Sequence, residues 1–323
     1  MSTELVTPEE VARAHTDLGD VAVRTPLLGA EWLSARVGGD VRLKCENLQH
    51  AGAFKIRGAY TAVSRLTEEQ RQKGVIAFSS GNHAQGVALA AQIFGIRAVV
   101  VMPTTAPAIK VDGARRLGAE VVIEGTTSVH REAKAREIAA DQGLTIIPAF
   151  DDINVITGQG TCGVEILEQW PEVEAILVPC GGGGLLSGIA AYVKRVKPDC
   201  LVIGVEPEKA DAMHRSLAAG ELVTIESRPT IADGLMPVRP GALNFEHVRA
   251  LVDDLVLVPD DAIMEAAASL MKFSKLVVEF SGAATVGALL AGAWKPEGRR
   301  TVAVLSGGNM DPARAVSLFS TAQ

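Results

Sequence analysis

Val75-Ile76-Ala77-Phe78-Ser79-Ser80-Gly81-Asn82-His83 is a short apolar run that stops in a small polar turn and passes into a helical stretch. Outward from it the same unit repeats. Ala98–Met102, Glu120–Ile123 and Leu144–Ile147 are further strand-like runs, separated by helical stretches of roughly 10–15 residues. Such alternation is the pattern of parallel strands joined by crossover helices, and it defines a compact βαβ unit between about residues 74 and 149. A second series follows in Ala175–Val178, Leu201–Val205, Leu255–Val258 and Thr301–Leu305, again with helices between. A strand is also predicted over Val41–Cys45. The fold class is therefore α/β, with mostly parallel sheets covered by helices. The expected division is a large domain from residues 1–73 and 150–323, with a small domain, 74–149, inserted. A cleft between the two is the default place for a ligand.

Composition agrees. The chain has 323 residues, 48% of them hydrophobic but only 4% aromatic, so its interior is built from Ala, Val, Leu and Ile. A net charge of −7 and a pI near 5.5 leave no basic stripe to displace counterions, which argues against a nucleic-acid partner. Met1-Ser2-Thr3-Glu4-Leu5 lacks the regions of a signal peptide, and no apolar run reaches the roughly 18 residues of a membrane helix, so a cytoplasmic location without membrane contact is expected. Cys45, Cys162, Cys180 and Cys200 show no CxxC pairing and suit reduced core thiols. Thr7-Pro8-Glu9-Glu10 carries the capping box of a helix running to about Leu18.

Four loops carry the chemistry. Lys55 sits in Gly52-Ala53-Phe54-Lys55-Ile56-Arg57-Gly58, where a strand gives way to a helix. Ser79 to His83 form a polar loop, and Gly181-Gly182-Gly183-Gly184-Leu185 lies between an apolar strand and an apolar helix. Ser306-Gly307-Gly308-Asn309 follows another strand. Unhindered N–H groups at a helix start can hold a phosphate without a basic side chain. A P-loop would need Gly-Lys-Ser/Thr after its glycines, but Leu185-Leu186-Ser187 stand there. A dinucleotide fingerprint would need GxGxxG; Glu206 could serve as its acid, yet no such register runs through Gly181 to Gly188. An amine for an aldehyde, a polar loop, an anion cradle and a hydroxyl for a ring nitrogen are together what pyridoxal 5′-phosphate (PLP) requires.

The chain resembles the fold type II (tryptophan synthase β-like) PLP enzymes, specifically the serine/threonine dehydratase and serine racemase group. The similarity runs from about Thr7 to Asp311. It is carried by Phe54-Lys55-Ile56-Arg57-Gly58, Ser79-Ser80-Gly81-Asn82-His83, Gly158-Gln159-Gly160-Thr161, Gly181 to Leu185, Ile231-Ala232-Asp233-Gly234 and Ser306-Gly307-Gly308-Asn309. The resemblance implies that Lys55 is the Schiff-base lysine and Phe54 packs on the cofactor. Asn82 binds the ring 3′-oxygen, Gly181, Gly182, Gly183, Gly184 and Leu185 hold the phosphate, Ser306 faces the pyridine nitrogen, and Glu279 belongs to the cofactor pocket. Ser79, Ser80, Gly81 and His83 receive the substrate carboxylate, and Ser80 is the second acid/base candidate that racemisation would need.

Three positions depart from the group: Ala53 in place of a common serine, Phe280 in place of a usual proline, and Met236-Pro237 after Leu235. They bear on substrate size more than on reaction class. A divalent cation (Mg or Ca) in some relatives uses a glutamate, a carbonyl four residues on and an acid six on; Glu206 and Ala210 match, but the third position is Ala212. The implied activity is β-elimination of a β-hydroxy amino acid, L-threonine or L-serine, to a 2-oxo acid and ammonia. Serine racemisation, dehydration of 3-hydroxyaspartate or a bulkier β-hydroxy amino acid, and non-catalytic PLP carriage are the alternatives. A homodimer is implied, and isoleucine feedback is not expected, because the chain ends at Gln323 without room for the regulatory domain of biosynthetic threonine dehydratases.

Overall fold

In the computed structural model, which describes residues 5–79, 81–106 and 108–320, ten strands form two sheets. They are β1 (Leu27–Gly29), β2 (Asp40–Lys44), β3 (Val75–Phe78), β4 (Ala98–Met102), β5 (Glu120–Ile123), β6 (Thr145–Ile146), β7 (Ala175–Pro179), β8 (Leu201–Pro207), β9 (Asp254–Val258) and β10 (Arg300–Val304). The larger sheet has the order β1-β2-β10-β7-β8-β9 and the smaller β5-β4-β3-β6. Every pairing is parallel except β1 with β2, where Leu28 stands opposite Leu43.

Strict alternation explains why the central strands read as unbroken apolar runs. On β7, Ala175 and Leu177 enter one core while Ile176 and Val178 enter another on the opposite face. On β10, Ala303 joins the first core, and Val302 and Val304 the second. Helices Asp260–Ser269 and Phe280–Leu290 cover one face; Gly184–Val196 and Ala242–Leu251 cover the other. Both faces are dry, so both phases of the period-two pattern must be apolar. The smaller sheet repeats this arrangement, with Val75 and Ala77 on one face and Ile76 on the other.

The helix Lys55–Ser64 follows the Lys55 loop and buries Ile56, Ala59 and Val63 in the smaller sheet's core. Its first turn is also tied to the larger sheet by buried charge. Arg57 donates from Nε and Nη2 to the two carboxylate oxygens of Glu46, each at 2.8 Å, and its Nη1 lies 2.7 Å from Glu165. Lys44, at the end of β2, reaches Glu165 at 2.5 Å, and its ammonium also donates to Gln169 and the Thr25 carbonyl. Two cations face two anions, and all four side chains are buried. Burial works to raise the Glu46 carboxyl, but the Arg57 guanidinium holds it below its ordinary range.

The Thr7 capping box forms as the sequence indicates, starting the helix Pro8–Leu18. All four cysteines are free and buried. Among the described residues no helix is long and apolar enough to cross a membrane.

Removing one charge from the network leaves its partners buried without full compensation. Glu165→Gln is expected to destabilise the protein by about 3–5 kcal/mol, read as a lowered midpoint in urea unfolding.

Candidate active site

The four loops meet at the carboxyl ends of the strands, where open parallel sheets place their ligands. Ser79 and Gly81 follow β3, Gly181 to Gly184 follow β7, and Ser306 follows β10. One cavity is lined by Lys55 and Phe54, by Ser79, Gly81, Asn82 and His83, by Gly181 to Leu185, and by Glu279 and Ser306. Ser80 lies outside the described residues.

Backbone pairing welds the Lys55 loop to the loop after β10. The Phe54 N–H donates to the Ser306 carbonyl at 3.2 Å, the Gly308 N–H to the Gly52 carbonyl at 2.8 Å, and Ala53 bridges Gly307. Gly307 leaves room for the Glu279 carboxyl group, since a Cβ there would lie 2.3 Å from Oε1. Asn309 donates through Nδ2 to the Asn82 side-chain oxygen at 2.9 Å and to the Ala51 carbonyl at 2.8 Å. Asn82 in turn donates one Nδ2 hydrogen to Glu279 Oε1. An amide nitrogen carries two hydrogens, so Asn82 has a second to offer an acceptor in the cavity. Glu279 is pushed up to about 7, chiefly by burial.

The Lys55 ammonium donates to the Ala149 carbonyl at 2.7 Å, and burial pulls its pKa down to about 8. Two residues earlier in that segment, the Ile147 carbonyl lies 2.8 Å from His83 Nε2, which must carry the proton to bond there. His83 Nδ1 is consequently an acceptor, and it has no partner among the described residues. Burial, with the nearby Lys55 charge, pulls the imidazole pKa down to about 3, so it is neutral at physiological pH.

The helix Gly184–Val196 begins at Gly183, whose φ of +99° is left-handed and suits glycine. Its first N–H groups have no carbonyl within the helix to bind, and Gly184 and Leu185, which carry two of them, line the cavity. A Cβ on Gly182 would lie 2.4–2.5 Å from the Phe150 ring, so the ring lies directly on the loop. An uncharged anion cradle, an amine of depressed pKa, a donor amide and the Ser306 hydroxyl are the groups a phosphorylated pyridine aldehyde needs, and they fit PLP.

The expectation of a cation at Glu206 and Ala210 gains no support. Neither lines the cavity. The Glu206 carboxylate is turned into a helix start, accepting from the N–H groups of Met213 at 2.9 Å and His214 at 2.8 Å. Burial pushes its pKa up to about 8. Among the described residues there is no group of three or more His, Cys, Asp or Glu that could hold a metal.

Lys110, Phe150, Asp233 and Ser281 also line the cavity and carried no role in the sequence reading. Asp233 stood in a recognised motif without an assignment; Lys110 and Phe150 lie in stretches with no motif.

A family model described as pyridoxal-phosphate dependent enzyme matches residues 20–307. The L-threonine ammonia-lyase of Thermotoga maritima is 44% identical over 95% of this chain and 76% of its own length. The L-threo-3-hydroxyaspartate ammonia-lyase of a Pseudomonas species is 42% identical, covering 98% of this chain and 99% of the relative. Among solved structures, maize serine racemase superposes with a TM-score of 0.94 at 37% identity, covering 98% of both chains.

With a pKa near 8, about one Lys55 amine in ten is neutral at pH 7, against about one in three thousand for an ordinary lysine. Reaction of cofactor-free protein with an amine-directed reagent is expected to label Lys55 first, with a rate that rises to its plateau through pH 8 and not through pH 10.

Proposed function

The chain belongs to the pyridoxal-phosphate dependent enzymes, and from that premise we propose that it is an ammonia-lyase that converts a β-hydroxy amino acid, L-threonine or L-serine, to the 2-oxo acid and ammonia. The observation that carries this reading is the convergence of Lys55, the Gly181–Leu185 cradle, Asn82 and Ser306 on one cavity. Water lost from Cα and Cβ is regained on hydrolysis, so the reaction balances without a co-reactant.

PLP, when bound, supplies the electron-withdrawing ring that makes a Cα proton removable. Lys55 is the amine that would hold its aldehyde, and the same Nζ would serve as the base for the Cα proton. The N–H groups of Gly184 and Leu185 would hold the phosphate, and the second Nδ2 hydrogen of Asn82 the ring 3′-oxygen. Ser306 would present a neutral hydroxyl to the ring nitrogen, which favours elimination over prolonged negative charge on the ring. Phe54 would pack on the ring, and Glu279 would fix Asn82. Ser79, Ser80, Gly81 and His83 would receive the substrate carboxylate.

A second reading, racemisation, is supported by the likeness to maize serine racemase and would assign Ser80 as the acid/base on the opposite face. The likeness to a 3-hydroxyaspartate lyase supports an acidic substrate as a variant of the first reading. The two sheets support a small unit over 74–149 inserted in a larger one, and fold type II resemblance supports a homodimer. The free, buried cysteines fit a reducing cytoplasm.

Lys55→Ala is expected to abolish the visible absorbance of the lysine-held cofactor and to lower 2-oxo acid release from L-threonine by at least about a thousandfold. D-serine as the main product from L-serine would move the assignment to a racemase. Unchanged turnover in Lys55→Ala would overturn the reading.

A further inference from the structure

Lys110 is a second lysine in the cavity wall, and the proposed reaction gives it no task. It lies in the helix Ala108–Arg116, whose Val111 and Ala114 pack in the smaller sheet's core. Its ammonium is 2.7 Å from Asp233 Oδ2. Asp233 lies in a turn whose neighbours Ala232 and Leu235 are buried in the larger sheet's core, and whose Gly234 N–H donates to Ser281 Oγ at 2.8 Å. The ion pair thus joins the two cores across the cavity. Its lysine end is well shielded, with 8% of the side chain exposed, against 37% for Asp233.

The lysine stem makes a second contact. A Cβ on Gly81 would lie 2.8 Å from Lys110 Cδ and 3.1 Å from Nζ, so the side chain lies across the Gly81 backbone. Gly81 belongs to the loop that receives the substrate carboxylate in the proposed function, and its N–H is held by Ser79 Oγ at 3.2 Å. Lys110 therefore touches the carboxylate loop with its stem and the opposite wall with its charge.

We propose that Lys110 and Asp233 are positioning residues for substrate binding: their ion pair holds the Gly81 backbone at a fixed distance from the 232–235 turn. The inference rests on the function proposed above. The clamp acts on how the amino acid is held. Neither side chain hydrogen-bonds Lys55, Asn82 or the glycine cradle; both charges also act on the buried Glu279, Lys110 lowering its pKa and Asp233 raising it.

The test is steady-state turnover of L-threonine by cofactor-loaded wild type, Lys110→Met, Asp233→Asn, the double variant and Lys110→Arg, with the cofactor's visible absorbance recorded for each. Each charge-removing single variant is expected to raise KM roughly tenfold with a much smaller change in kcat and an unchanged absorbance band. The double variant is expected to be no worse than either single one, because each breaks the same pair. Lys110→Arg should recover most of the loss. An unchanged KM in Asp233→Asn, a fall in kcat without a rise in KM, or single effects that multiply in the double variant would each overturn the proposal. Asp233→Asn carries the test if Lys110→Met does not fold, since it is nearly isosteric on a part-exposed turn. Wild type that releases no oxo acid from any β-hydroxy amino acid would overturn the functional reading and this inference with it. Active wild type beside unaffected variants would overturn this inference alone.

Discussion

The buried pairing of Arg57 with Glu46 and Glu165, and of Glu165 with Lys44, is the constraint on which the site depends. Arg57 follows Lys55 by two residues on one helix turn, so where the guanidinium is pinned the backbone that carries Lys55 is pinned as well. Its anchors are Glu46, in the turn after β2, and Glu165, in the helix Ile153–Gln169, while Ile56 and Ala59 beside it on the helix Lys55–Ser64 pack in the smaller sheet's core. Apolar packing alone would tolerate sliding of this helix along its groove. Charges removed from water tolerate little, because each loses its compensation within an ångström or so.

From that fixed helix the other walls are set by short polar links between backbone turns. The loop after β10 is paired to the Lys55 loop, Asn309 spans to Asn82, and Asn82 spans to Glu279. The segment leaving β6 offers carbonyls from Ile147 to His83 and from Ala149 to Lys55, then lays the Phe150 ring on the glycine loop. All four loops are thus held through backbone groups or through side chains that bind no reacting atom. The low pKa of Lys55 follows from the same burial: an amine shut away from water favours its neutral form.

Much of this was legible in the sequence where the physics is local. The strands Val75–Phe78 and Ala98–Met102 of the smaller sheet stand where the apolar runs indicate, because strands buried on both faces have no other composition; Glu120–Ile123 also forms as expected, although it is an edge strand without a fully buried residue. The Thr7 helix start was legible because a capping box is contained in four residues. β1 was not: its three residues sit on an edge, with Leu28 partly exposed, and show no alternation long enough to read. The expectation of a cation at Glu206 finds no support, because its spacing to Ala210 says nothing of the helix start that captures its carboxylate. Lys110 and Phe150 were missed for a related reason: each acts on a residue far away in the chain, and no spacing records that. The Arg57 network was equally hidden, since Glu165 lies 108 residues along.

The proposed function stands or falls with Lys55 as the amine that holds the cofactor. Borohydride reduction of the PLP-loaded protein, followed by proteolysis and peptide mass spectrometry, tests it most directly, because reduction fixes the cofactor to whichever lysine holds it. One modified peptide, containing Lys55, is expected. Modification of Lys110, the other lysine of the cavity, with Lys55 unmodified would contradict it.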